Sequence, residues 1–418
     1  MIASVGFLIL MALGAPLAFV LIAAAVILVM EGGNTALLSA FPQQLFAGME
    51  SPAMLTLPLF ILLGELMGAG GIGRRLFAFA ADLLPPLRAG LAQVNLLTNL
   101  MMASVLGSTV AQLTVMSRLA VPEMERAGYP RDISATVTAA GGLLAPLLPP
   151  SMNLIVFAAV AQLPVGDLFA ASILPGLAMA FAFMLVIAFL GWRAQLPVSG
   201  GLPLAARGRD LLMGLPALAV PLAAVGSILS GIATPTESAA MASLAALLVG
   251  GLIYRELTWA ALPGIFVRSG ITAGIVLYLV GAAQIMGWVM TFANVPAMAA
   301  DFIQDMAGSP LMFLILLNIL LLLLGTVLEP VPAIILTAPV LLPVAVSGFG
   351  IDPVQFGLIL CANLALGLLT PPVGAGLYTA ALMTGVSAGR LSRLLLPFFG
   401  AMLAVIAGMT IHAALSAG

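Results

Sequence analysis

Gly367–Gly376 reads GLLTPPVGAG, and Leu144–Asn153 reads LAPLLPPSMN. Each stretch interrupts an apolar segment that would otherwise be one membrane helix. Two adjacent prolines remove two backbone donors and clash with the preceding turn, so the helix opens there. In hydrocarbon an opened helix survives only where its freed carbonyls and amides find partners in protein or in a polar cavity. Broken helices near the bilayer midplane are where secondary transporters hold ions and substrate. Two copies of so costly a feature point to a duplicated transport site.

Composition sets the class. Of 418 residues, 63% are hydrophobic and 7% charged, more apolar surface than a water-soluble core needs. The chain reads as an all-α polytopic membrane protein. A net charge of −2 carries no message about nucleic acid, and none is expected as a partner. All 13 basic residues are arginine. Cys361 is the only cysteine, which excludes an intramolecular disulfide or a cysteine-built metal site. The run from Met1 to Met30 is too long for a signal-peptide core and lacks a basic start. It reads as a retained first span, kinked at Pro16, with the N-terminus cytoplasmic.

Working outward from the proline pairs, Asp132–Ala161 and Asp352–Leu382 are the broken helices. Each follows an apolar stretch interrupted by a tip. Leu91–Met124 breaks at LGST (Leu106–Thr109), and Leu311–Val346 breaks at GTVLEP (Gly325–Pro330). The first stretch is either one over-long span or a re-entrant hairpin. Arms of about fifteen residues, short of the ~20 that a crossing takes, favour the hairpin. Ile72–Arg88 and Arg255–Arg268 read as amphipathic connectors lying in the interface. Asn294–Pro310, with Asp301 and Asp305, reads as a surface arm.

The two halves repeat in register. Asn99 precedes Gly107 by 8 residues and Asn318 precedes Gly325 by 7; Pro122 precedes Pro149 by 27 and Pro343 precedes Pro371 by 28. Arginines favour cytoplasmic loops. With Arg74, Arg75 and Arg88 inside, every other arginine except Arg118 also falls at a cytoplasmic end, provided both tips are hairpins. Glu31–Glu50 then lies outside, the C-terminus is periplasmic, and five crossings separate the hairpins. The second therefore enters from the opposite face, which makes the repeat inverted.

Tips and breaks should meet near mid-depth. In the first half the ion-site candidates are Ser104, Gly107, Ser108, Thr109, Pro149, Ser151 and Asn153. In the second they are Gly325, Thr326, Thr370, Pro372, Gly374 and Gly376. Carbonyls and hydroxyls at a break suit a small hard cation, and half-helix N-termini favour an anionic group. Asn99, Arg118, Asn318, Glu329 and Asn363 are the substrate-proximal candidates. Glu329 reads equally as an ion-site neighbour or as a lock on the hairpin. Arg118 attracts a carboxylate, snorkels, or pairs with Glu123 or Glu65. Glu65 marks an intramembrane polar contact, Gly64 and Gly68 a helix-packing pair, and Glu237 the first turn of a helix begun at TPTES. A lone His412 and scattered acids supply no catalytic set, so an intramembrane hydrolase is a remote alternative and the chain does not read as an enzyme. No Walker-type loop is present for ATP.

These motifs resemble the large membrane subunit of TRAP (tripartite ATP-independent periplasmic) transporters, of the DctM/SiaM type. The resemblance runs through GAPLAF, PLFILLGELMGAGGIGRRL, VPEMERAGYPRD, GGLLAPLLPPSMNLIVFA, ILPG, IATPTESAA and LLTPPVGAGLY. One departure is the first tip, GSTVAQ, where the family has G-S-S followed by alanine; Ser108 is kept and Thr109 retains a hydroxyl. A second is Glu329, commonly aspartate. The resemblance implies an ion-transporter-superfamily fold of elevator type in the bacterial inner membrane. Residues 91–162 and 310–385 would form the transport domain. Residues 1–90, 163–309 and 386–418 would supply scaffold helices and arms. It implies sodium as the coupling ion with no other cofactor, and a small organic acid as substrate. A small four-helix membrane subunit and a periplasmic substrate-binding protein would be partners. A stand-alone cation-coupled dicarboxylate carrier of the same architecture is the alternative.

Overall fold

The first apolar run is a helical hairpin and not one kinked span, as a computed structural model of the chain makes plain. Helix α1 (Ile2–Ala12) and helix α2 (Leu17–Glu31) fold back on one another, so that a Cβ built at Gly6 would lie 3.0 Å from Ile27 Cδ1. The reversal is local chemistry. Gly14 takes φ +74°, Ala15 N–H closes onto Leu10 O at 3.1 Å, and Pro16 is extended. The start of α1 and Glu31 therefore share one end of this hairpin. The crossing count that put the N-terminus opposite Glu31–Glu50 does not hold.

The structure describes residues 2–50, 52–84, 87–199, 204–295, 298, 303, 306–371 and 373–417. Pro372, the pair Pro85–Pro86, Asp301 and Asp305 lie outside the described residues. Among the described residues, seven helices are long and apolar enough to cross a membrane, or up to eight if a bent pair counts as one span. That pair joins Thr35–Met49 to Met54–Ala69 with a 50° bend, so the Glu31–Glu50 connector is itself largely helical, with α3 at Phe41–Met49. Among the described residues the regular structure is all helical apart from a two-residue antiparallel ladder, Leu87–Arg88 on Val198–Ser199.

Helices α4 (Pro52–Ala69) and α5 (Ile72–Leu83) follow. Helix α5 is amphipathic: Ile72, Leu76, Phe77 and Ala80 are buried while Arg74 and Arg75 reach Glu256. Helices α6 (Gly90–Leu106) and α7 (Thr109–Arg126) form the first tip hairpin. Their arms are zipped by Gln112 Nε2, which donates to Asn99 O and Oδ1 at 2.8 and 2.9 Å. The first broken helix is α8 (Arg131–Gly142) and α9 (Met152–Ala161), and α10 (Val165–Arg193) runs on from it.

Helix α11 (Leu204–Leu229) leads to α12 (Pro235–Leu248), whose start is a full capping box between Thr234 and Glu237. Helix α13 (Leu262–Phe292) is 31 residues long and already contains Arg268. The expected connector over Arg255–Arg268 thus shrinks to a short turn before Leu262.

The second hairpin is α14 (Pro310–Val327) and α15 (Pro330–Pro343), followed by the broken helix α16 (Pro353–Leu368) and α17 (Ala375–Thr384), and by α18 (Ala388–Ser416). Two details differ from expectation. The second tip falls at Leu328–Glu329, because Gly325 and Thr326 still belong to the last turn of α14. Gly325 is there for a crossing instead: a Cβ on it would meet Leu364 O at 2.9 Å and Gly367 Cα at 3.0 Å. Three arms are also longer than fifteen residues, at 17, 18 and 18, and the fourth, of 14, is extended by a π-turn of 5 more after α15. Arm length alone therefore does not separate a hairpin from two spans.

The halves interlock reciprocally. Helix α9 packs on α15, the returning arm of the second hairpin, and α17 packs on α7, the returning arm of the first. Fully buried Phe157 of α9 and Phe356 of α16 lie 6.1 Å apart at this junction. Gly357 is the floor under Phe157, since a Cβ on it would come within 2.2 Å of the ring. At one end, Arg390 holds Asp132 at 2.8 Å and Arg131 Nε donates to Thr384 O at 2.6 Å.

Candidate functional site: two tips and two broken helices around one cavity

At the first break, Pro149 and Pro150 lack the N–H groups that Ala145 and Pro146 carbonyls would otherwise receive. Ser151 repairs half of the loss. Its Oγ donates to Pro146 O at 2.7 Å and accepts from Leu154 N at 3.4 Å, capping α9. The next amide, Met152 N, donates to Gly107 O at 3.3 Å. Gly107 sits at φ +58°, and a Cβ there would lie 3.0 Å from Met152 N and 3.1 Å from Pro150 O. Tip and break are thus joined main chain to main chain. Beside them the Thr109 hydroxyl is buried with no partner among the described residues.

At the second break the sequence puts prolines, which have no N–H, at positions 371 and 372, where a continuing helix would have offered donors to the carbonyls of Gly367 and Leu368. Thr370 Oγ donates back to Leu366 O at 2.8 Å. Two glycines admit the carbonyls closely: a Cβ at Gly374 would meet Thr370 O at 2.7 Å and Leu368 O at 3.0 Å, and one at Gly376 would meet Leu368 O at 3.1 Å. Glu329 is extended and exposed at the second tip, just before α15.

A cavity of about 810 Å³ gathers Ser108, Thr109, Asn153, Glu329 and Leu368 from both halves. Gly64, Glu65 and Gly68 of α4, with Arg268 and Thr272 of α13, complete its wall. Glu65 pairs with Arg268 at 3.1 Å. A second cavity, of about 600 Å³, lies toward the other end of α4, lined by Thr56, Gln162, Thr234 and Thr236. Between them is a gap of about 10 Å³ where Leu57, Phe60 and Ile61 of α4 meet Gly107, Pro150 and Met152. Phe60 is braced edge-on against Phe169, 6.3 Å away. One seam between α4 and α9 thus carries two chambers separated by an apolar layer.

Other candidates lie elsewhere. Asn99 belongs to a buried network in which Asn95 also bonds Thr138 of α8 at 2.8 Å. Asn318 and Asn363 bond each other at 2.8 Å, and Asn318 reaches Thr410 of α18 at 2.9 Å. Gly325 and Thr326 are buried in α14, one turn behind the tip. Ser104 is half-buried on α6, short of Gly107, and Pro149 is buried in the break. Arg118 is exposed and makes no ion pair among the described residues. Sequence reasoning missed Gln112, Arg268 and the pairing of Glu65 with it. For Gln112 the signal was there: an amide about one turn past a tip, in an apolar hairpin that also carries Asn95 and Asn99.

A multi-pass helical protein with tips and breaks around one cavity has the architecture of a membrane transport subunit. The sequence profile of the family described as "Tripartite ATP-independent periplasmic transporter, DctM component" matches residues 4–415. Curated relatives include the sialic acid TRAP transporter large permease protein SiaM of Vibrio cholerae, 34% identical over 94% of this chain and 92% of that one. The 2,3-diketo-L-gulonate TRAP transporter large permease protein YiaN of Escherichia coli is 36% identical over 79% of this chain and 78% of its own length. The C4-dicarboxylate TRAP transporter large permease protein DctM of Pseudomonas aeruginosa is 33% identical over 89% and 87%. Among solved structures, the Alcanivorax borkumensis YdaH transporter matches with a TM-score of 0.62 at 14% identity, covering 92% of this chain and 88% of that one. That is a likeness of fold alone. The chain belongs to the DctM family of TRAP transporter large permease subunits, which are transport proteins and not enzymes.

Proposed function

We propose that this subunit couples inward sodium movement to the import of a small organic acid across the bacterial inner membrane. A periplasmic binding protein delivers the acid, and a small four-helix membrane subunit completes the complex. The observation that carries the reading is the 810 Å³ cavity lined by residues of both tips (Ser108, Thr109 and Glu329) and of both broken helices (Asn153 and Leu368). Broken helices of this kind coordinate sodium through unwound carbonyls. Thr109, Ser108 and the Pro149–Asn153 break supply the first set, and Leu368–Gly376 the second. The relatives' names support an acid: one is named for sialic acid, one for a diketo-gulonate and one for C4-dicarboxylates.

In this reading residues 91–162 and 310–385 move together as an elevator against α4 and α13, and the repeat is inverted with both hairpins re-entrant. The two chambers give the travel a scale. Thr56 and Glu65 mark them on α4, nine residues apart, or about 13.5 Å along a helix. Arginine-bearing ends face the cytoplasm and the C-terminus the periplasm.

Proteoliposomes holding the full complex, supplied with loaded binding protein and an imposed sodium gradient, test this. Uptake should follow the gradient and vanish without binding protein. Uptake indifferent to sodium would sink the coupling, and uptake by the purified chain alone would replace the three-part reading with a stand-alone carrier.

A further inference from the structure

Among the described residues, several arginines near helix ends are committed. Arg74 and Arg75 hold Glu256, Arg126 holds Glu123, and Arg390 holds Asp132. Arg268 is different. Among the described residues it is the one basic side chain on the 810 Å³ cavity, where the other charges are Glu65 and Glu329. Two carboxylates and one cation make a chamber that would repel an organic anion everywhere except at that guanidinium.

The contact with Glu65 uses only part of the group. Nε donates to Glu65 Oε2 at 3.1 Å, and neither terminal NH₂ group has a partner among the described residues. A guanidinium held at Nε by one carboxylate still presents a planar donor edge, the geometry that a second carboxylate accepts in bidentate fashion. Its side chain is 59% exposed, so the edge is reachable from the chamber. Thr272, one turn further along the same helix, lines the same space and offers a neutral hydroxyl to the rest of a hydroxylated acid.

We propose that Arg268 is the side chain that recognises the anionic group of the transported acid while it occupies this chamber, and that Glu65 keeps Nε and fixes the plane of the guanidinium. The inference rests on the transport reading above. It places the charge recognition on α13, outside the tips and breaks that hold the ions.

The test begins with wild-type complex offered sialic acid, glucuronate and succinate. The acid it takes up becomes the probe, and binding of that acid and of its neutral amide is then measured on the full chain in nanodiscs. Arg268→Gln should weaken acid binding roughly tenfold, the low end for hydrogen bonds to a charged group because the site is wet, and leave amide binding unchanged. Arg268→Lys, which keeps the charge but not the fork, should fall between. Stabilisation by sodium chloride alone should persist in both variants, marking them as folded. Acid binding as tight as wild type in Arg268→Gln, or equal loss of acid and amide, overturns the proposal while the transport reading stands. Failure of the wild type to take up any of the acids removes the organic-acid reading and this inference with it.

Discussion

At position 107 a side chain has nowhere to go. Gly107 needs both a left-handed backbone and the space taken by Met152 N and Pro150 O. Gly14 needs only the backbone, since a Cβ there would have nothing within 4 Å. Alanine at 14 should therefore cost about 1–2 kcal/mol from the left-handed backbone. Alanine at 107 should cost a further ~1–3 kcal/mol from overpacking, read as a larger drop in thermal midpoint and a loss of uptake. Equal costs at both sites would show that the tip is not docked on the break. Thr109→Val probes the unpartnered hydroxyl. Without sodium it should be neutral or stabilising by up to ~1 kcal/mol, since a buried orphan is removed. With sodium, the stabilisation that the ion gives wild type should shrink. An unchanged sodium response would remove Thr109 from the ion site. At this scale the sequence was partly legible. The proline pairs and the hydroxyls of GST announced themselves because their chemistry is local. Gly325 misled, since a glycine that permits a helix crossing and one that breaks a helix look alike in one dimension. Arg268 was invisible as a cavity residue because its partner Glu65 lies 203 positions away.

Between elements, polar zippers in apolar surroundings set which helices stay together. Gln112 Nε2 bridges Asn99 and the carbonyl of Gly141, tying both arms of the first hairpin to α8. A double-mutant cycle on Asn99→Ala and Gln112→Ala should return a coupling of about 1 kcal/mol in thermal stability. Strict additivity would mean that the arms are held by packing alone. The recurrence of hairpin, broken helix and long helix was readable from the spacing of asparagines and prolines. The folding back of α1 on α2 was not: a proline in a long apolar run signals a kink, and only Gly14 beside it turns the kink into a reversal.

Over the whole molecule, the seam along α4 divides two chambers by a single apolar layer, and thiol chemistry can ask whether they face opposite sides. Cys361 is fully buried, so a cysteine introduced elsewhere reports alone. A membrane-impermeant maleimide should reach Ser108→Cys from one face of a vesicle and Gln162→Cys from the other. Labelling of both from the same face would contradict chambers on opposite sides of a moving barrier. The reciprocal packing of α9 on α15 and of α17 on α7 also has a temporal side. When the ribosome has released residue 200, α7 and α9 are made but their cognate surfaces are not. Those polypeptide faces must wait in lipid until positions beyond 330 and 375 arrive. Severing the gene near residue 200 and expressing only the first piece should thus yield an insertion product that quality-control proteases degrade, whereas co-expressing both pieces rescues it.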